Sequence, residues 1–354
     1  MPFTRVPEQP GAIRLLEASL ADDPAHAFLF HGPAGVGKRA TALAFAGALL
    51  GDERRVLGRT HPDLRVLEAL GDMIRIDAVR ELHHDLHMRP FEADRRVYLL
   101  FDAHLLNAEA ADALLKDLEE PPPYATIVLV ADELGPLPQT IRSRCQLVPF
   151  RRLPERAVLR WIEAHAPGVA ADEALAVARV ASGRLDRAAR LLDPAARARR
   201  DALLASARAT YLDEVYDPGV GVRAVLDAMG TRGAEAAERE SAAVAELDLP
   251  TRDAEQRVKR AQRGAEREEL LASLEELEAW YRDLVVVGAG VEGAVAHADR
   301  LDDLRADAPL VGEGALAAAE AVREAWRVVE EFNVNPGLWL EAVFVSARRA
   351  LGRR

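Results

Sequence analysis

Phe28-Leu29-Phe30-His31-Gly32-Pro33-Ala34-Gly35-Val36-Gly37-Lys38-Arg39 is the stretch that decides the fold. A short apolar run ends in a glycine-rich turn, the turn ends in a lysine, and Arg39 to Leu50 then reads as a helix with Leu43, Ala46 and Leu50 on one face. Strand, glycine turn, lysine and helix in that order make a phosphate-binding loop. Its glycines let backbone N–H groups turn toward phosphate oxygens, the helix N-terminus adds partial positive charge, and the lysine reaches the terminal phosphates. Gly32, Gly35, Gly37, Lys38 and Arg39 are therefore the candidate nucleotide-binding residues. Arg39 breaks the pattern. A Ser or Thr hydroxyl at that position normally holds Mg²⁺, whereas a guanidinium has no acceptor to offer.

Outward from the loop, strand-like and helix-like stretches alternate. Asp63 to Leu67, Arg96 to Phe101, Thr126 to Val130 and Gln146 to Phe150 read as strands. Asp77 to His87 and Ala108 to Glu120 read as helices, the second stopped by Pro121 to Pro123. The continuous apolar runs suit strands buried on both faces, so a mostly parallel sheet covered by helices is expected. The strand Val97-Tyr98-Leu99-Leu100-Phe101-Asp102 ends in an acid where a metal-binding aspartate belongs, but Ala103 follows in place of a water-orienting glutamate.

After Phe150 the character turns helical. Pro154 to Ala164, Asp172 to Ala181 and Leu185 to Leu192 form a three-helix module, and helix dominates from Arg197 onward. Breaks are expected at Gly219 to Gly221, at Gly230 to Gly233 and at Leu249–Pro250, with a long charged helix over Asp253 to Leu284. Thr231 to Gly264 carries almost no large apolar side chains and reads as an exposed, charged helical excursion. The expected fold is thus an α/β P-loop domain over 1–152, a small helical domain over 153–200 and an all-α domain over 201–354.

The chain has 354 residues and is 49% hydrophobic, enough for several packed domains. Its formal net charge of −12 disfavours non-specific nucleic-acid binding by the chain alone. Cys145 is the single cysteine, so no internal disulfide forms. With no long apolar stretch in Met1 to Gly11, and with Leu284 to Ala296 too short and too interrupted to span a bilayer, a cytoplasmic location is expected.

Further segments carry a resemblance. They are His61-Pro62-Asp63, Ile76 to Leu82, Ala110 to Lys116 running into Leu118-Glu119-Glu120-Pro121-Pro122, and Leu137-Pro138-Gln139-Thr140-Ile141-Arg142-Ser143-Arg144-Cys145. Together with Trp280-Tyr281-Arg282-Asp283-Leu284 and Asn333-Val334-Asn335-Pro336 near the C-terminus, they resemble the AAA+ subunits of bacterial sliding-clamp loaders, most of all the delta-prime type. The resemblance implies an AAA+ domain, a helical lid and a helical collar that oligomerises. It also implies partners: the gamma/tau motor and delta subunits of the DNA polymerase III holoenzyme, and through them the sliding clamp and primer-template DNA. By position in Ser143-Arg144-Cys145, Arg144 is the arginine that the family projects into a neighbour's ATP site, where a guanidinium neutralises charge on the γ-phosphate.

Aligned on that family, Phe101 stands at the metal aspartate and Asp102 at the glutamate. Asp186 of Gly183-Arg184-Leu185-Asp186-Arg187-Ala188 stands at the sensor arginine, with Arg184 and Arg187 as substitutes. Ala131-Asp132 lacks the usual γ-phosphate sensor. Intrinsic ATP hydrolysis is therefore not expected, while ATP or ADP held without turnover is left open. Many relatives carry four zinc-binding cysteines between the loop helix and His61; Gly51 to Thr60 has none, so zinc is not expected there. His83, His84 and His87 share a helix without an evident third ligand, and no metal site is expected. Arg197, Arg199 and Arg200 read as a solvated or DNA-facing basic run, and Trp280, Trp326 and Trp339 as helical core. The alternatives are an active motor subunit of the same loader and a P-loop regulator outside replication.

Overall fold

The computed structural model describes residues 3, 8–22, 24–69, 73–132, 134–245, 250–331 and 335–352. Leu249, Asn333 and Val334 lie outside the described residues. Five strands build one parallel sheet: β1 (Ala27–His31), β2 (Leu64–Leu67), β3 (Arg96–Leu100), β4 (Ala125–Ala131) and β5 (Gln146–Pro149), in the order β2-β3-β4-β1-β5. The helices of this part are α1 (Pro10–Ala21), α2 (Lys38–Leu50), α3 (Glu53–Leu57), α4 (Ile76–Leu86), α5 (Ala108–Glu119), α6 (Gln139–Arg142) and α7 (Glu155–His165). α8 (Ala171–Val180), α9 (Leu185–Leu192), α10 (Pro194–Leu212), α11 (Pro218–Ala245), α12 (Thr251–Gly288), α13 (Leu301–Val311), α14 (Gly314–Glu331) and α15 (Pro336–Ala350) follow. The α/β P-loop sheet followed by an all-helical part is the expected fold class. Every expected strand and helix of the first 192 residues is present, within about two residues at each end.

The sheet's strands alternate between two cores, as a pleat requires. Phe28, Phe30, Val97, Leu99, Val128 and Val130 pack with Leu16 of α1 and Phe45 of α2 on one face. Leu29, Tyr98, Leu100, Ile127 and Leu129 pack with Val79 and Leu86 of α4 and Leu114 and Leu118 of α5 on the other. β1 is hydrogen-bonded to β4 on one side and β5 on the other, so the glycine loop emerges from the middle of the sheet.

The chain divides into two compact units, Met1–Pro167 with Ser182–Arg187, and Gly168–Ala181 with Ala188–Arg354. Ser182–Arg187 joins the first unit through Gly183. That residue has φ +80°, and a Cβ there would meet the Leu153 backbone at 2.5 Å. The Leu153 N–H donates to Gly183 O at 3.0 Å.

In the second unit, Trp280 and Tyr281 are fully buried, and Trp326 and Trp339 pack partly buried against the same core. A polar ladder runs through it: Trp280 Nε1 donates to Tyr211 Oη, Tyr211 Oη donates to Asp307, and Arg208 pairs with Asp307 and Asp303. Buried Asp283 accepts the backbone N–H groups of Ala296 and His297. Asn335 caps α15 through Gly337 N and Leu338 N, with Pro336 in the first turn.

Three expectations need correction. Gly219 to Gly221 and Gly230 to Gly233 do not break the chain, because α11 runs through both. Each glycine costs about 1 kcal/mol of helix propensity, and packing outweighs that. A Cβ on Gly221 would meet the Phe344 ring at 2.6 Å, and one on Gly233 would meet Glu266 at 2.6 Å, so these glycines seat neighbouring helices closely. The charged stretch 231–264 is not a lone excursion: α11 packs against α12 along it, with Val244 buried and Arg257 paired to Glu240. The basic run is only partly solvated and its charges are matched within the chain: half-exposed Arg197 pairs with Glu173, Arg199 approaches Glu269, and buried Arg200 pairs with Asp299.

Gly221→Ala and Gly230→Ala test the packing argument. Both gain helix propensity, but only Gly221 faces the buried Phe344 ring, while a Cβ on Gly230 meets nothing within 4 Å. Denaturant unfolding should show Gly221→Ala destabilised by about 1–2 kcal/mol and Gly230→Ala stabilised by up to about 1 kcal/mol. Asp63 gives a second test. It is fully buried; desolvation pushes its carboxyl up, but the N–H groups of Phe91, Glu92 and Ala93 and the nearby Arg96 win and hold it below the ordinary 3.8. Its contribution is fully present above that value and disappears as the pH falls through the lower folded one. Asp63→Asn should lower stability at neutral pH by about 1–3 kcal/mol and flatten the acid limb of the stability curve.

Candidate functional site: a phosphate loop closed from within

The loop has the backbone the sequence calls for. Gly32 takes φ +141° and Gly35 φ +70°, and a Cβ on Gly32 would meet the carbonyl of Phe150 at 2.3 Å. Gly37 caps α2 in the left-handed region. Gln9, which the sequence reading passed over, is buried and stitches the loop down. Its Nε2 donates to Val36 O and to Arg151 O, and its Oε1 accepts from Arg151 N.

Lys38 is buried, and its three N–H donors all have partners: Gly32 O at 2.6 Å, Pro33 O at 2.5 Å and Asp132 Oδ1 at 2.7 Å. Burial, the largest influence, lowers its pKa, and Asp132 opposes that without cancelling it. Asp132 follows β4, at the position expected of a γ-phosphate sensor, and pairs with the lysine.

Asp186 lies against Gly35. Its Oδ1 would stand 1.7 Å from a Cβ at that position, and Leu185 N donates to Gly35 O at 2.7 Å. Desolvation pushes the Asp186 carboxyl up, but hydrogen bonds from Arg184 win and hold it low. Arg184 engages it twice, Nη2 to Oδ2 at 2.7 Å and Nε to Oδ1 at 3.2 Å. The arginine suggested as a substitute sensor thus faces this acid.

At the end of β3, Phe101 is fully buried in the sheet core and offers no metal ligand. Asp102 adopts φ +57°, a left-handed turn that Asp tolerates, and its Oδ2 meets Arg39 Nη2 at 2.5 Å. The Arg39 guanidinium lies 5.0 Å over the Phe101 ring, with Glu68 at 3.7 Å. The residue that replaces the metal-binding hydroxyl therefore pairs with the one remaining acid of the strand.

Ser143-Arg144-Cys145 follows α6. Arg144 is one-third exposed; its Nη1 donates to Thr140 O at 2.9 Å and its Nη2 to Glu119 Oε1 at 2.5 Å. Ser143 Oγ donates to Thr140 O. Cys145 is half-buried, and desolvation pushes its thiol up to about 12, which leaves it unreactive as a nucleophile. His61-Pro62-Asp63 is a clasp: His61 Nδ1 accepts from Asp63 N, and Asp63 ties down residues 91–93. The cysteine-free stretch before it holds α3, capped by Asp52.

His83, His84 and His87 are exposed on their helix, as surface histidines are expected to be. Sequence spacing offered no third ligand to His83 and His87, but the packing of α4 on α5 brings Asp117 to them, with His83 Nδ1 2.6 Å from Asp117 Oδ1. An acid from a different helix leaves no mark in the local spacing. Among the described residues, no helix is long and apolar enough to cross a membrane.

Residues 8–154 match the family described as "DNA polymerase III, delta subunit". The DNA polymerase III subunit delta' of Bacillus subtilis is 32% identical over 163 residues, 42% of this chain and 50% of that protein. The subunit delta' of Pseudomonas aeruginosa is 37% identical over 166 residues, again 42% and 50%. The DNA polymerase III subunit tau of Bacillus subtilis is 30% identical over 198 residues, 51% of this chain and 35% of that one. A DNA polymerase III gamma subunit-related protein from Thermotoga maritima superposes with a TM-score of 0.49 at 16% identity, covering 96% and 99% of the two chains. This chain spans about half the length of the two delta' subunits it matches. Over residues 8–154, then, the chain is similar to subunits of DNA polymerase III, the delta' subunits among them.

Proposed function

We propose that this chain is the delta-prime subunit of a bacterial clamp loader: a cytoplasmic, non-hydrolysing member of an ATP-driven ring that places the sliding clamp on primer-template DNA. It assembles with gamma/tau motor subunits and a delta subunit through a helical collar over 201–354. An AAA+ domain over 1–152 and a lid over 153–200 precede that collar. Arg144 acts in trans on nucleotide held by a motor neighbour.

The observation that carries the reading is the neutralisation of the loop by the chain's own charges. Lys38 is engaged by Asp132, Arg39 by Asp102, and Asp186 occupies the space over Gly35. An incoming polyphosphate meets these carboxylates and no free donor from Lys38. Hydrolysis would further need metal ligands that Arg39 and Phe101 cannot supply. Arg144 belongs to no such cluster and stands partly exposed in a surface ion pair.

Two measurements bear on this. Titrating the purified chain with a fluorescent ATP analogue and Mg²⁺ should show little binding, with affinity rising at least about 10-fold in Asp186→Ala as repulsion is removed. Tight Mg²⁺-dependent binding to the unaltered chain, with DNA-stimulated turnover near ~1 s⁻¹, would instead identify a motor subunit. In a loader reconstituted with motor and delta subunits, Arg144→Ala should assemble normally. The ATP site it serves should slow by about 10³-fold or more, so total ATPase falls by that site's share. Unchanged ATPase would remove the trans role, and failure to bind either partner would favour a regulator outside replication.

A further inference from the structure

We propose that His83, His87 and Asp117 form a zinc-binding site that ties α4 to α5. His83 lies in α4 and His87 caps its C-terminal end, four residues on, so the two imidazoles lie on one helix face. Their ring centroids are 4.8 Å apart and nearly perpendicular. Asp117 comes from α5 and points at the same spot, so that one donor atom from each residue lies within 4.8 Å of the other two. Ligands around tetrahedral zinc stand about 3.3 Å apart at Zn–N distances near 2.0 Å. To reach that spacing the 2.6 Å contact between His83 and Asp117 has to open and the wider donor separations have to close, and the two imidazoles that must turn are exposed.

An independent observation singles out Asp117. It is 2% exposed, and its Oδ2 is buried without a hydrogen-bond partner. A buried carboxylate oxygen left unmatched is costly, and a cation beside it removes the cost. The donor set narrows the cation to a first-row transition metal such as zinc. Two imidazoles and one carboxylate suit zinc, which completes its tetrahedron with water, whereas magnesium and calcium take oxygen ligands. The exposed side of the histidines leaves room for that water. The site is separate from the cysteine-free stretch 51–60. It lies two residues before Glu119, the partner of Arg144, so an ion there would stiffen the helix end that holds that arginine.

The test uses the full chain, made without a histidine tag and stripped of metal, then titrated with Zn²⁺ in competition with a chromophoric chelator. One ion per chain is expected, with a rise in melting temperature on zinc addition. His87→Ala should weaken binding more than about 10-fold and abolish the thermal shift, since losing a ligand exceeds the loss of an outer partner. His84→Ala, on the neighbouring position, should change neither. Asp117→Asn should match His87→Ala if it folds; should it fail to fold, the exposed His87→Ala and His84→Ala pair still decides. Equal loss in those two variants, or no binding above that of His87→Ala, would overturn the site and leave the His83–Asp117 contact as a simple hydrogen bond.

Discussion

A parallel sheet buried on both faces has room for charge only at the ends of its strands. In this protein that constraint organises the first unit. β1, β3 and β4 contribute apolar side chains to both cores along their length, and the polar groups around the glycine loop lie just past their C-terminal ends: Gly32 to Arg39, Asp102 and Asp132. Because β1 lies between β4 and β5, the glycine loop opens beside the end of β4. Lys38 and Asp132 meet there, as a strand-end acid and the lysine of the adjacent loop must when nothing stands between them. The left-handed turn at Asp102 similarly swings a carboxylate back from β3 to Arg39.

The loop's closure also explains why residues 182–187 belong with the sheet and not with the helices around them in sequence. Gly183 allows backbone contact with Leu153, Leu185 hydrogen-bonds to Gly35, and Asp186 is held in place by Arg184. A buried carboxylate is tolerable only when matched by hydrogen bonds or opposite charge, and Asp186 has Arg184 bonded to it and the Lys38 charge nearby. Loop, strand ends and this short segment thus form one electrostatically balanced cluster. Altering a single member leaves a partner unmatched, so the cluster should respond to substitution as a unit.

Much of this was legible in the sequence. Buried strands announce themselves as apolar runs, and the glycine turn between β1 and α2 carries its own geometry. Arg39 was legible as well, because it departs from the loop motif at a fixed offset. What the sequence did not reveal are partnerships made across the fold. Asp132 for Lys38, Glu119 for Arg144 and Asp117 for His83 each come from an element far away in sequence. The glycines of α11 misled for a related reason: glycine signals a break locally, while Phe344 and Glu266, which make the small residue necessary, are distant. The basic run at 197–200 was misjudged because its acids lie up to about a hundred residues away.

The Arg144–Glu119 ion pair is weak enough to be compatible with the proposed trans role. Both side chains are partly exposed, and an exposed pair contributes about 0–1 kcal/mol. A guanidinium that neutralises charge on a phosphate in a water-excluded interface contributes several times as much, because the effective dielectric is lower and the phosphate carries more charge than a carboxylate. On the proposed trans role, exchange of Glu119 for a neighbour's phosphate is downhill. Until then Glu119 and the Thr140 carbonyl hold the side chain in a defined rotamer at the end of α6. The contact that looks like a structural salt bridge in the isolated chain is also what would keep the arginine oriented for delivery, at little energetic cost to its release.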